Sequence, residues 1–207
     1  NRHRPLLGRD PRAAVAVVDR HGEAGAQRGR VRVDHRGEIE PVGDSEHLAM
    51  RELTLELCER AGLRRYEISN YALPGSECAH NITYWRNEAY LGLGAGAWSY
   101  LEGVRSENMR EPAEYVKAVE ADEEPTACEE RLDPDDALAE ALMMGLRMTE
   151  GLELAVLERA YGGERVRELI ARAKPLAEMG LVELTQRRIR LTEQGEPLHS
   201  EVCVRLV

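Results

Sequence analysis

His80 and its neighbours are the residues best placed to do chemistry. Cys78 stands two positions earlier, and the hexapeptide His80-Asn81-Ile82-Thr83-Tyr84-Trp85 sets an imidazole beside flat aromatic surface. Three readings of His80 are open. It is a structural loop residue, or it shares a metal with Cys78, or it is an axial ligand to haem iron. Two ligands cannot close a tetrahedral site, and nothing nearby supplies a third and fourth. One imidazole is enough for haem iron, and aromatic neighbours suit the macrocycle. The second unusual stretch is Gly92-Leu93-Gly94-Ala95-Gly96-Ala97. Small residues here let a backbone approach a ligand or turn sharply. The pattern fits a dinucleotide fingerprint only superficially, because that requires an amphipathic helix immediately afterwards. Trp98 to Gly103 does not read as one, which leaves a ligand-facing strand end or plain close packing.

These residues need a frame. Asp44-Ser45 is a candidate N-cap, Ala49, Leu53, Leu57 and Ala61 then fall on one helical face, and Gly62 ends the helix. Residues 66–69 alternate as a strand, and 70–77, with Pro74-Gly75, form a loop. Residues 90–94 read as a second strand, apolar enough for a covered sheet. A helix, a short strand and a long loop suit the α/β class, as a parallel sheet or barrel with its site at the strand ends. His80 then lies in a polar loop. Residues 111–120 form a short helix, and the acidic stretch 121–132 is a linker between a barrel part at 44–120 and a domain at 133–207.

In that last domain Asp133 caps a helix with Pro134 at its first position, and Leu138, Leu142 and Leu146 make the buried stripe. A second helix covers 152–161. A third covers 164–179, with Val166, Leu169, Ile170, Ala173 and Leu176 facing in and Gly180 closing it. Strands at 181–184 and 189–191 pair across Gln186-Arg187, and Thr192 caps a terminal helix. The order describes a small winged-helix-like module. Fourteen acids against ten bases in 133–207 give it no basic face for phosphates, so a winged-helix DNA-binding regulator is the least favoured reading.

The net charge of -10 argues against general nucleic-acid binding. Arginine outnumbers lysine 26 to two, which reads as coding background rather than function. Cys58, Cys78, Cys128 and Cys203 form no CxxC pair, and with no signal sequence they read as reduced thiols of a cytoplasmic protein. No apolar run approaches the ~20 residues of a membrane span. Residues 1–43 are atypical: 1–36 carry nine arginines against four acids, only Ala13 to Val18 is continuously apolar, and disorder or a mis-templated head is expected.

The run YEISNYALPGSECAHNITYW, followed by YLGLGAGAWSY, resembles the radical-SAM haem chaperone family, often labelled oxygen-independent coproporphyrinogen III oxidase-like. The likeness spans about residues 37–207 and is most specific at 66–108. It implies the last part of a radical-SAM-type partial barrel followed by the family's C-terminal domain. In that family a CxxxCxxC loop holds a 4Fe-4S cluster with S-adenosyl-L-methionine on its fourth iron, and this sequence contains no such loop. A fragment is therefore expected, with exposed edges that favour a homodimer. HNxxYW separates the chaperones from true oxidases. The resemblance implies haem contact by His80, with Asn81, Tyr84 and Trp85 in the other motif positions, and places Gly92, Gly94, Gly96 and Ala97 on the S-adenosylmethionine side. Trp98 departs from a histidine common there. The implied partners are haem and haem-accepting proteins. The runner-up is an enzyme that oxidatively decarboxylates coproporphyrinogen III in porphyrin biosynthesis.

Overall fold

The computed structural model describes residues 42–207. The readings made for 1–41 lie outside the described residues. Helices and strands alternate along the chain in the α/β class, which divides into two compact units, Asn1–Cys78 and Ala79–Val207. Among the described residues every strand pairing is antiparallel, in three small sheets, rather than parallel as the loop pattern suggested.

In the first unit, α1 (Asp44–Arg60) starts one residue earlier than expected. Gly43 is the N-cap, and its N–H donates to the Glu46 carboxylate at 3.3 Å. Gly62 (φ 78°) closes the helix, with the Leu63 N–H reaching back to the Cys58 carbonyl at 2.9 Å. The stripe expected to face a core does not: α1 buries no residue, and Leu53 and Leu57 are more than half exposed. A hairpin in the same unit pairs β1 (Arg64–Glu67) with β2 (Asn70–Ala72), so part of the expected loop is strand. The chain reverses early because the buried Glu67 carboxylate accepts the Ser69 N–H at 2.7 Å and the Asn70 amide at 2.6 Å. Pro74-Gly75 then makes the turn its residues announce: the Ser76 N–H donates to the Leu73 carbonyl at 2.9 Å.

The second unit begins with α2 (Ala79–Trp85). A three-stranded sheet follows, β3 (Trp98–Leu101), β4 (Val104–Asn108) and β5 (Thr126–Glu130), with α3 (Pro112–Glu120) between β4 and β5. Glu102 and Gly103, both at positive φ, form the two-residue turn joining β3 to β4. Strand β5 lies inside the stretch expected as a linker, where its backbone completes the β4 ladder.

Next come α4 (Pro134–Gly145), β6 (Leu152–Glu153), α5 (Leu154–Tyr161), α6 (Gly163–Glu178), β7 (Val182–Leu184), β8 (Arg188–Leu191), a 3-10 turn (Glu196–Leu198) and α7 (His199–Leu206). The second sheet has the order β6-β8-β7. The expected cap is present, since Asp133 accepts the N–H groups of Asp135 and Asp136 at 2.9 and 3.0 Å. Leu142, Leu146, Val166, Leu169, Ala173, Ile189, Val202 and Leu206 fill the core. Ile170 is only half-buried, and Leu152 belongs to β6 rather than to the helix expected at 152–161. Thr192 does not cap α7 directly: its hydroxyl donates to the Gly180 carbonyl at 2.6 Å and accepts the Gly195 N–H at 3.0 Å. It thus holds the turn before the 3-10 segment.

Candidate functional site

HNxxYW is a short helix, not a loop. The Thr83 hydroxyl donates to the Ala79 carbonyl at 3.0 Å, and the helix stops at Asn87, which takes the left-handed conformation (φ 52°). The N–H of Glu88 then bonds the Thr83 carbonyl and that of Asn87 the Tyr84 carbonyl, both at 3.0 Å, a helix stop that asparagine tolerates well. Helical spacing places His80 and Tyr84, four apart, on one face. Their rings meet edge to face, with centroids 4.7 Å apart. Tyr84 in turn meets Tyr90 at 4.5 Å, and Tyr90 lies 6.4 Å from Tyr100. The backbones of Tyr90 and Tyr100 exchange two hydrogen bonds of 2.9 Å, which fixes the far end of the row to β3. His80 is exposed at the near end, and Asn81, Tyr84 and Trp85 are half-buried.

Behind the row lies a polar cluster. Burial pushes the Tyr90 phenol above its ordinary pKa, against the pull of Arg105. Arg105 donates to the Glu140 carboxylate at 2.5 Å, and that bond holds its own pKa up. Trp85 packs under the Arg147 guanidinium, 4.3 Å from the ring centroid, and its buried indole N–H has no hydrogen-bond partner. Arg86 donates from Nε and Nη2 to one Glu150 oxygen, at 3.2 and 2.9 Å.

The glycine stretch is an ordered loop. The strand expected at 90–94 shrinks to the single bridge at Tyr90, and Leu91 and Leu93 stand 65% and 80% exposed, so no sheet covers them. Gly94 (φ 107°) and Gly96 (φ 68°) carry the backbone out of strand geometry. Gly92 permits a close approach, since a Cβ there would lie 2.1 Å from the Trp98 carbonyl oxygen. The loop is held by Asn108, whose side-chain amide donates to the Gly92 and Gly94 carbonyls at 3.2 and 2.9 Å. Ser99 and the Tyr115 hydroxyl accept the N–H groups of Gly92 and Gly94 at 2.9 and 3.1 Å. Trp98 opens β3 instead of a helix, which removes the context a dinucleotide fingerprint needs.

Arg147 and Glu150 were not legible as neighbours of the motif, because nothing local signals a contact made some 60 residues away in sequence. Asn87 had a signal, since asparagine tolerates the left-handed conformation that ends a helix.

Residues 132–198 match the HemN C-terminal domain family. The Heme chaperone HemW of Bacillus subtilis is 32% identical over 167 residues, covering 81% of this chain and 44% of that protein. The same-named protein of Mycobacterium tuberculosis (strain H37Rv) is 35% identical over 196 residues, covering 94% and 47%. The chain belongs to the HemN/HemW family. The solved structure of Escherichia coli HemN, titled as coproporphyrinogen III oxidase and a radical SAM enzyme, superposes with a TM-score of 0.59 at 19% identity. That match covers 80% of this chain and 42% of HemN, and it shows a shared fold. The chain spans less than half the length of these HemN/HemW relatives.

Radical-SAM members of the HemN/HemW family carry a 4Fe-4S cluster and S-adenosylmethionine in their full-length proteins. The cysteines here do not fit such a cluster. Cys58, Cys78, Cys128 and Cys203 are separate free thiols, and the described residues hold no group of three metal-ligating side chains. Haem asks less of a protein: an exposed imidazole at the head of an aromatic row fits it. No helix among the described residues is long and apolar enough to cross a membrane.

Proposed function

We propose that this chain binds haem through His80 and passes it to haem-accepting proteins. The observation that carries the reading is the exposed His80 ring at the head of the Tyr84, Tyr90 and Tyr100 row. Haem iron supplies an open axial position for an imidazole nitrogen. His80 offers that nitrogen, Tyr84 orients the ring from its edge, and the phenol faces offer apolar area to a flat macrocycle. An exposed ligand also suits a carrier, since a recipient can reach the iron without the carrier unfolding. Asn81 and Trp85 complete the motif. Relatives named heme chaperone support the same direction.

In this reading Gly92, Gly94, Gly96 and Ala97 form the side of the site that faces S-adenosylmethionine in longer relatives. The module at 133–207 is winged-helix-like in its element order and serves packing rather than nucleic-acid reading. Four of its nine arginines are matched by acids: Arg165 with Asp135, Arg172 with Glu168, Arg188 with Glu153 and Arg190 with Glu183. We place the protein in the cytoplasm. The uncovered leucines of α1 favour a homodimer, which size-exclusion chromatography reads directly.

The deciding experiment is a haem titration followed at the Soret band, on the full chain and on His80→Ala. Saturable binding that the substitution abolishes is expected. Equal binding by both proteins refutes the assignment of His80. The second reading, oxidative decarboxylation of coproporphyrinogen III, draws on the fold shared with HemN. It predicts product only when a polypeptide carrying a CxxxCxxC loop is present.

A further inference from the structure

The HNxxYW helix is too weak to hold itself. It has seven residues, and Ile82, Thr83, Tyr84 and Trp85 are all mediocre helix formers. Helices of this length do not persist in water without tertiary support. Support gathers at its C-terminal end, at residues 85 and 86. Arg147 covers the Trp85 ring, and Glu150 receives both Arg86 hydrogen bonds. Both supports come from within the HemN C-terminal domain match, and neither contact involves His80.

We propose that Arg147 and Glu150 are positioning residues that hold α2 in the conformation where His80 and Tyr84 share a face. The C-terminal domain thereby sets the haem affinity of a histidine it does not touch. This inference rests on the haem reading and adds to it the residues that tune the site. The apparent affinity of a ligand for a protein falls with the fraction that is binding-competent. Loosening one half-exposed ion pair lowers that fraction only modestly, by about two- to fivefold. The stack on Trp85 contributes a similar factor.

The test is a double-mutant cycle on the full chain, read as haem Kd from the Soret titration. Arg86→Gln and Glu150→Gln are each expected to raise Kd about threefold, and the double variant no further than either single. The band at saturation keeps the wild-type position, because His80 still supplies the ligand. Adding Arg147→Leu to Glu150→Gln is expected to raise Kd about tenfold. If that combined variant loses its thermal transition, the Arg86–Glu150 cycle decides alone. Single variants with the wild-type Kd, effects that multiply in the double, or an altered saturated band each overturn the proposal. His80→Ala separates the two levels. If it binds haem normally, the ligand assignment falls and this inference falls with it. If it loses haem while every support variant keeps the wild-type Kd, only the positioning role is refuted.

Discussion

Asn108→Ala tests whether the glycine loop is held in the way its hydrogen bonds indicate. The substitution removes one amide that donates to two carbonyls, those of Gly92 and Gly94, from a side chain only 8% exposed. A neutral hydrogen bond contributes about 1 kcal/mol net, so two contribute about 2 kcal/mol. Both glycines are half-buried and water can reach their carbonyls in part, which keeps the figure from rising further. Two kcal/mol is a factor of about 30 in the opening equilibrium of residues 92–97. Amide hydrogen exchange reads that equilibrium at the Gly94 and Gly96 N–H groups, which in the closed loop bond the Tyr115 hydroxyl and the Met109 carbonyl. Both are expected to exchange about thirtyfold faster in the variant, while amides of the α4 core keep their rates. Unchanged protection at Gly94 and Gly96 refutes the idea that Asn108 holds the loop. Equal acceleration throughout the unit would show that loop and core open together.

Gly92→Ala meets the Trp98 backbone rather than a flexible side chain, so its thermal midpoint is expected several degrees below wild type; an unchanged midpoint would contradict the close approach. Leu142→Ala removes a fully buried side chain and is expected to cost about 3 kcal/mol in urea unfolding; a loss under 1 kcal/mol would contradict the packing of α4. The Asp133 carboxyl is held below the usual carboxylate range by the Asp136 and Asp135 N–H groups. Its folded pKa is depressed, so its stabilisation is present above the unfolded carboxylate pKa and disappears as pH falls through the folded one. The midpoint gap between wild type and Asp133→Ala should therefore be widest at neutral pH and close in acid; a gap that widens in acid is the wrong sign. Burial pushes the Cys203 thiol up to about 12, while Cys128 is exposed, so a thiol reagent at pH 8 should modify Cys128 in the native protein and Cys203 only after denaturation.

The last 75 residues were the most legible part of the fold, for a physical reason. Asp133-Pro134, the leucine stripe of α4 and Gly180 are local signals, and the core they predict is local too. The middle of the chain read poorly because its structure depends on distant partners. Strand β5 is an acidic segment whose residues 127–130 are exposed, and only pairing with β4 makes it a strand. The hairpin of β3 and β4 did carry a sign in Glu102-Gly103, but neither flanking strand is apolar enough to announce itself. HNxxYW was misread as conformation: a loop was expected and a helix is found. Its aromatic and β-branched residues disfavour a helix, and the supports that override them lie at Arg147 and Glu150. Ala49, Leu53 and Leu57 show the converse: the periodicity correctly gave a helix, yet periodicity cannot say what lies opposite.

Both tryptophans of this protein, Trp85 and Trp98, lie in the second unit, and one of them belongs to the candidate motif itself. Tryptophan emission therefore reports on this unit alone and is blind to residues 42–78. Haem absorbs where tryptophan emits, so a macrocycle seated at His80 would sit within energy-transfer range of Trp85, five residues along the same helix. On the proposed haem reading, Trp85 would serve as a built-in optical gauge of that loading. With Trp98→Phe, quenching of the single remaining emitter would follow arrival and departure of the pigment in real time, including its transfer to a recipient.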